Sequence, residues 1–302
     1  MSPTPLVSIV LPTYNGSRYL AGAVESVRRQ THTRWELLIQ DDASTDETPE
    51  IIRHFAALDP RILPATNPEN LRLPRSLNAG FARASGRFLT WTSDDNEYRP
   101  EALEAMVSAL ESDPKAGLVY CDMTDMDDQG RDVGDWVAPE PEAMGRVNPV
   151  GACFLYRREV MESVGQYDDC WRLVEDWEYW MRVASQFPLR AIHRNLYRYR
   201  RHEASLTETR ASEIRRIRMH LLEERLPSLP HPSRRHRAEA YLHLARLAAE
   251  AGDDRRESAF HRIALRADPL HALPVVAGRR LLGSGRAGAV RAWWRQRIRR
   301  PM

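Results

Sequence analysis

Two pairs of adjacent carboxylates, Asp41-Asp42 and Asp94-Asp95, stand where this chain could do chemistry. Each directly follows a short apolar run, Trp35–Gln40 and Phe88–Thr92. Adjacent acids most often mark a solvated turn, but position matters here. If both runs are strands of one sheet, both pairs lie on the same edge, and two converging negative pairs repel unless a cation or the donors of a ligand satisfy them. A divalent metal carrying a diphosphate meets that need. A third pair, Glu175-Asp176, opens a segment of helical spacing, where acids are favoured by the helix dipole and where one of them could accept a proton. Trp136, Trp171, Trp177 and Trp180 surround it in sequence. Apolar sugar faces stack on tryptophan, although Trp177 and Trp180, three apart on one predicted helix, fit a core equally well.

The elements that must position these residues alternate from the start. Strands are predicted at Leu6–Leu11, Trp35–Gln40, Arg61–Ala65, Phe88–Thr92, Gly117–Cys121 and Ala152–Tyr156. Helices are predicted at Tyr19–Arg29, Thr48–Leu58, Pro74–Ala84, Glu101–Ser112, Arg158–Val164 and Asp176–Gln186. The order implies an α/β fold with a mostly parallel twisted sheet and helices on both faces. Ligands bind such sheets at the carboxyl ends of the strands, where loop amides and helix N-termini converge. Met123–Asn148, rich in Asp, Gly and Pro, reads as a loop with one irregular strand at most, and it holds Trp136. After about residue 212 the chain is helical throughout. Tyr241, Leu244, Ala245, Ala248, Gly252, Ala264 and Pro269 approach the spacing of a single tetratricopeptide-like helix pair, with a helical cap as the plainer reading.

The 302 residues allow one large domain and an appendage, divided here as 1–211 and 212–302. No apolar run is long enough to span a bilayer. The N-terminal apolar stretch lacks a basic region ahead of it and ends in Pro12, so it reads as a strand and not as a signal peptide. Cys121, Cys153 and Cys170 are too few and too scattered for a disulfide framework or a zinc site, which fits a cytoplasmic location. The net charge of +2 conceals a segregation: residues 212–302 carry twenty arginines against nine acids, leaving the remainder acidic. Within that tail, Ala289–Arg300 sets Val290, Trp293, Trp294 and Ile298 among five arginines. As a helix this is an apolar stripe with a cationic face, the pattern of a segment lying on an anionic membrane at the inner leaflet. Packing of the two tryptophans on the helical cap is the alternative. Nucleic acid is not an expected partner, because no zinc, RRM or helix-turn-helix signature occurs and the acidic body would repel phosphate. The letters Gly283-x-Gly285-x-x-Gly288 follow a helical segment and not a strand, so they do not make a dinucleotide site.

Five segments in order, Val7–Gly16 (VSIVLPTYNG), Trp35–Asp46 (WELLIQDDASTD), Gly86–Pro100 (GRFLTWTSDDNEYRP), Gly151–Tyr167 and Glu175-Asp176-Trp177, strongly resemble the family 2 glycosyltransferases over roughly residues 5–210. The stretch TSDDNEYRP is similar to the nucleotide-diphospho-sugar transferases related to spore-coat polysaccharide synthesis. The resemblance implies a GT-A fold and an inverting, metal-dependent transfer from a UDP- or dTDP-sugar donor to a saccharide or lipid-linked saccharide. Pro12, Thr13 and Tyr14 would flank the donor base, and Asp42 would accept the imide N–H of uracil or thymine. Asp94 and Asp95 would hold the ribose and a bridging Mg²⁺ or Mn²⁺. Asp176 would be the catalytic base, and His202, in Arg200-Arg201-His202-Glu203-Ala204-Ser205, would complete the metal site. Trp136, Glu175 and Trp177 would lie on the acceptor side.

One position departs from that pattern. Family members commonly carry Asp-x-Asp-Asp at the metal motif, where this chain has Thr92-Ser93-Asp94-Asp95. The Gln-x-x-Arg-Trp motif of processive synthases is absent, which favours transfer of a single sugar. In the implied mechanism the acceptor hydroxyl attacks the anomeric carbon opposite the leaving nucleotide while Asp176, which needs only a near-normal pKa and correct aim, removes its proton. Glu175, a like charge next door, would raise that pKa or simply favour the helix start. A nucleotidyltransferase would instead show a Gly-rich basic loop near the N-terminus, where this chain has PTYNGS. A binding protein with a degenerate metal motif is the other alternative.

Overall fold

The computed structural model describes residues 4–203 and 205–282, so the basic segment 289–300 and Gly283–Gly288 lie outside the described residues. The chain divides into two compact units between Leu221 and Leu222. The first is built on a sheet of nine strands: β1 Val7–Thr13, β2 Trp35–Asp41, β3 Ala65–Thr66, β4 Phe88–Trp91, β5 Glu97–Tyr98, β6 Leu118–Met126, β7 Asp132–Trp136, β8 Phe154–Arg157 and β9 Leu189–Arg200. They are ordered β3-β2-β1-β4-β8-β6-β9-β5, with β7 paired to β6.

The half built from β1 to β4 is parallel, as the alternation of strands and helices predicts. The other half is mixed. β8 runs antiparallel between β4 and β6, β7 folds back on β6 as a hairpin, and β9 is parallel to β6 but antiparallel to β5. The expected α/β sheet is therefore wholly parallel in its first half and mixed in its second. The predicted loop 123–148 also contains more structure than foreseen. β6 runs on to Met126, β7 carries Trp136 as a strand residue, and a 3₁₀ turn occupies Pro141–Gly145. Polar and glycine-rich edge strands lack the apolar alternation by which strands are recognised. The twelve residues of β9, four of them arginine, lack that alternation too.

Helices cover both faces. On one, Val7, Ile9 and Leu11 pack with α1 Leu20–Arg28, α2 Thr48–Leu58 and α4 Ala102–Ser112 in the main core. On the other, Val10 faces α3 Leu73–Phe81, where a Cβ on Gly80 would come within 2.4 Å of the valine. Glycine therefore sets the close approach of α3 to the sheet. Beyond it lie α5 Arg158–Val164 and α6 Glu175–Ala184. Trp180 of α6 is fully buried against Phe154 and Tyr156 of β8, as a core residue.

After α7 Leu206–Thr209 comes α8 Ala211–Arg225, in which the unit boundary falls. The second unit pairs α9 Arg234–Glu250 with α10 Asp254–Ala267, followed by α11 Pro269–Leu282. Gly252 turns between the first two at φ +74°, and Asp253 caps α10 by accepting the Arg256 amide. Tyr241, Leu244, Ala245, Ala248 and Ala264, picked out by their spacing, are buried. Among the described residues no helix is long and apolar enough to cross a membrane.

Candidate active site

The carboxyl ends of β1, β2 and β4 bring Thr13, Asp42 and Asp94 together. The Asp42 amide donates to the Thr13 carbonyl at 2.8 Å, and the Thr13 hydroxyl donates to Asp94 Oδ2. Gly16 makes room for this contact, since a Cβ there would lie 2.0 Å from Asp94 Oδ2. The loops after β1 and β2 are laced together by Asn15, which accepts the Thr45 amide at 2.8 Å while its own amide donates to Ser44 Oγ at 2.9 Å. Asp46 accepts the amides of Ser17 and Thr48, and these bonds outweigh its burial and lower its pKa to about 2. Tyr14, on this edge, is 49% exposed and free to meet a ligand.

The two acidic pairs differ in what satisfies them. Asp42, 4% exposed, accepts from Asn67 Nδ2 at 2.7 Å, the Leu71 amide at 2.8 Å and the Arg72 amide at 2.9 Å. A carboxylate offers about four acceptor sites, so Asp42 retains roughly one, on Oδ2, for a ligand N–H. Asp94 has no such cradle. Burial pushes its pKa up to about 6, with the Thr13 hydroxyl opposing the rise and the neighbouring charge of Asp95 adding to it. Repulsion between the pairs is thus met by protein donors at one pair and left for a ligand at the other.

Asp95 meets His202, whose Nε2 lies 3.0 Å from Oδ2, while Asp95 Oδ1 is buried with no partner. An orphaned carboxylate oxygen costs desolvation energy unless something outside the chain claims it. A divalent cation suits that oxygen, the His202 nitrogen and the Asp94 carboxylate, because such ions are commonly held by one or two protein groups plus ligand phosphates. The three side chains do not all gather within 4.8 Å of one another; among the described residues only Asp168, Asp169 and Cys170 do so. That trio sits on a turn whose chemistry is already used: Asp168 caps the Cys170 amide and Asp169 pairs with Arg75.

His202 reaches this place because β9 pairs antiparallel with β5, directly after Asp94-Asp95. Arg200, 7% exposed, clamps the turn: its amide donates to Asn96 Oδ1, its Nε to the Asp95 carbonyl at 2.9 Å, and its Nη1 to the carbonyls of Asp127 and Asp128. Tyr19 lies under the Arg200 guanidinium at 4.6 Å and beside the His202 ring at 5.3 Å. Sequence reasoning used Arg200 only as a letter of the histidine motif and missed Tyr19 altogether. Thr92, where family members commonly carry an acid, turns inward: it is 1% exposed and its hydroxyl lies 2.6 Å from the Tyr197 hydroxyl.

Asp176 stands in the first turn of α6. Asn148 Nδ2 donates to its Oδ2 at 2.8 Å and the Trp177 amide to its Oδ1 at 2.7 Å. Burial raises its pKa, against these hydrogen bonds and the charge of Arg218. Glu175 is pushed up to about 7, first by burial and then by Asp176, and its Oε2 has no partner. Asp176 also acts on buried Tyr167, whose hydroxyl accepts from Trp91 Nε1 of β4 at 3.0 Å; burial is the main cause of the raised Tyr167 pKa, with Tyr179 and Asp176 contributing. This ties the acid on α6 to the strand that delivers Asp94.

The tryptophans divide. Trp177 is 3% exposed, donates to the Met144 carbonyl at 3.0 Å and lies under Arg218, so it has no free face for a sugar. Trp136 is half-buried against the core and in reach of Gly151. Positive φ in residues other than glycine occurs, among the described residues, at Asn15, Ala43, Arg72 and Leu173. Each is within two residues of Tyr14, Asp42 or Glu175, or donates to Asp42, and backbone strain of this kind concentrates at functional sites. A recess of about 430 Å³ lined by Ser85, Arg87, Arg157, Arg158, Glu159 and Glu162 lies instead toward the start of β4, where Arg157 and Arg158 are spent on backbone carbonyls.

The chain is 27% identical over 193 residues to the y4gI protein of Sinorhizobium fredii, covering 63% of itself and 21% of that protein. It is 25% identical over 223 residues to the uncharacterized glycosyltransferase RP339 of Rickettsia prowazekii, covering 70% and 69%. TuaG of Bacillus subtilis, named as a teichuronic acid biosynthesis glycosyltransferase, is 36% identical over 106 residues, which is 35% of this chain and 42% of TuaG. Among solved structures, residues 1–349 of TarS from S. aureus superpose with a TM-score of 0.59 at 17% identity, covering 84% of this chain and 74% of that one. The mannosyltransferase PcManGT of Pyrobaculum calidifontis, in complex with GDP-Man and Mn²⁺, gives 0.55 at 19% identity, covering 98% and 81%. Both have the fold described above. The family model named glycosyl transferase family 2 matches residues 8–165, over half the chain, from the strand that delivers Thr13 through the turn that carries Asp94 and Asp95, and this chain belongs to that family.

Proposed function

We propose that the protein transfers one sugar, with inversion, from a UDP- or dTDP-sugar to a hydroxyl of a saccharide or lipid-linked saccharide, in assembly of a cell-surface polysaccharide. The observation that carries this reading is the unpartnered buried oxygen of Asp95 beside His202, on the strand edge that also presents Thr13, Asp42 and Asp94. TarS was also solved with UDP and with UDP-GlcNAc, and TuaG is named for a cell-wall polymer, which supports the donor class and the pathway class.

Pro12, Thr13 and Tyr14 line the base, and the remaining acceptor site of Asp42 takes its imide N–H. Asp94 contacts the ribose. Asp95, Asp94 and His202 would hold Mg²⁺ or Mn²⁺, which when bound offsets the charge of the diphosphate. Asp176 accepts the proton of the attacking hydroxyl. Its raised pKa suits that task, since a base works best with a pKa near the working pH, provided enough of it is ionised. Asn148 and the Trp177 amide fix the aim of its two oxygens. The basic segment 289–300 is proposed as a peripheral contact with an anionic membrane, bringing the enzyme to a lipid-linked acceptor.

A screen of nucleotide sugars for release of nucleotide, with and without chelator, tests the assignment. Asp176→Asn is expected to lower turnover about 10²–10⁴-fold while nucleotide affinity stays within about threefold. Wild-type turnover in that variant would remove Asp176 from the mechanism. Full activity in chelator would remove the metal.

A further inference from the structure

Helix α8 lies beyond the stretch matched by the family model, yet it reaches the proposed base. The guanidinium of Arg218 sits 4.9 Å over the centre of the Trp177 ring, and Trp177 donates its amide to Asp176 Oδ1. His220, two residues on, packs at 5.4 Å against Trp171, on the turn that leads into α6. Two points on one helix thus hold the entrance to α6.

Arg218 is partly buried, which disfavours its charge, and Asp176 is the group that offsets this. No hydrogen bond or direct ion pair of Arg218 occurs among the described residues, so its charge acts through space. The other groups facing Asp176 are Glu175 on its own helix, the Tyr167 phenol and the Asn148 amide, none of them cationic; Arg172, exposed, acts on Glu175.

We propose that Arg218 is a positioning residue for the catalytic base: reaching in from α8, it keeps the Asp176 carboxylate ionised and its helix turn aimed. This rests on Asp176 being the base. Trp177 serves as the platform, its buried ring supporting the cation and its amide orienting the carboxylate. Cation–aromatic stacking fixes the arginine without a hydrogen bond that would draw it away.

The test is the pH profile of donor hydrolysis by the full chain, with UDP-GlcNAc and GDP-mannose as probes. Arg218→Gln removes the charge and keeps the stem. A neighbouring opposite charge commonly moves a carboxyl pKa by roughly one. The acidic limb should therefore shift upward by about one pH unit, with a loss of roughly tenfold below it and less than twofold well above it. Arg218→Lys should restore most of the shift. The same displacement should be read without turnover, from the ¹³Cγ titration of aspartate-labelled protein in which Asp176→Asn identifies the resonance. An equal loss at every pH, an unshifted titration, or Lys behaving like Gln would overturn the proposal. Should Asp176→Asn retain turnover, the base assignment falls; if that variant is inactive and the Arg218→Gln limb is unmoved, the role of Arg218 alone falls.

Discussion

Replacing Glu175 with glutamine should stabilise this protein at neutral and alkaline pH, although it removes an acid beside the active site. Glu175 is 6% exposed and its pKa is pushed from an ordinary 4.5 to about 7, by burial first and by Asp176 second. The rise means that the folded state holds a proton which the unfolded chain has lost. Stability contributed by this group is intact below about pH 4.5, drains away as pH climbs toward 7, and is gone above it. At about 1.4 kcal/mol per tenfold, the full drain amounts to about 3 kcal/mol. Glutamine has no charge to lose, so its advantage should grow from nothing near pH 4 to as much as about 3 kcal/mol near pH 8. Oε2 has no partner in the wild type, so an amide at that position leaves the count of unpaired atoms unchanged. Urea unfolding at a series of pH values measures the difference directly. A variant less stable than wild type at pH 8, or a gap of the same size at pH 4 and pH 8, would refute the reasoning. Because Asp176 remains, turnover should change by less than about tenfold.

Other perturbations probe the donor edge. Gly16→Ala puts a methyl 2.0 Å from Asp94 Oδ2, so it should displace the carboxylate and weaken nucleotide binding at least tenfold in titrations with UDP, with the fold retained by circular dichroism. Asp95→Ala should weaken UDP binding strongly with Mn²⁺ present and little without it, while His202→Ala should raise the Mn²⁺ concentration needed for half activity; equal affinity with and without the ion would displace both from the metal site. A chain ending near Gly288 should still hydrolyse donor but no longer sediment with anionic liposomes, where the full chain does so in a salt-sensitive way, since each basic residue near such a surface is worth about 1 kcal/mol. Equal sedimentation of the two forms would retire the membrane contact.

Much of this molecule was legible in its sequence, for a local reason. Apolar runs with β-branched residues specify β1, β2 and β4, and the acids and turn residues immediately after them must then share one edge of the sheet. That puts Thr13, Asp42, Asp94 and Asp95 on one edge from sequence alone, and the spacing of Glu175 through Trp180 specifies the helix that starts with the proposed base. What local pattern could not supply was pairing across long separations. β9 is too charged to read as a strand, and only its registry with β5, Glu97 opposite Arg198, carries His202 and Arg200 back to the Asp95 turn. Burial was equally hidden: Trp177 and Trp136 look alike as letters, but one is sealed beneath Arg218 and the other lies half-buried on an edge strand. Asp42 and Asp94 also look alike in sequence. The 67–72 loop donates to the first and leaves the second to burial, so only the tertiary structure distinguishes an acid held mainly by protein donors from one left open for a ligand.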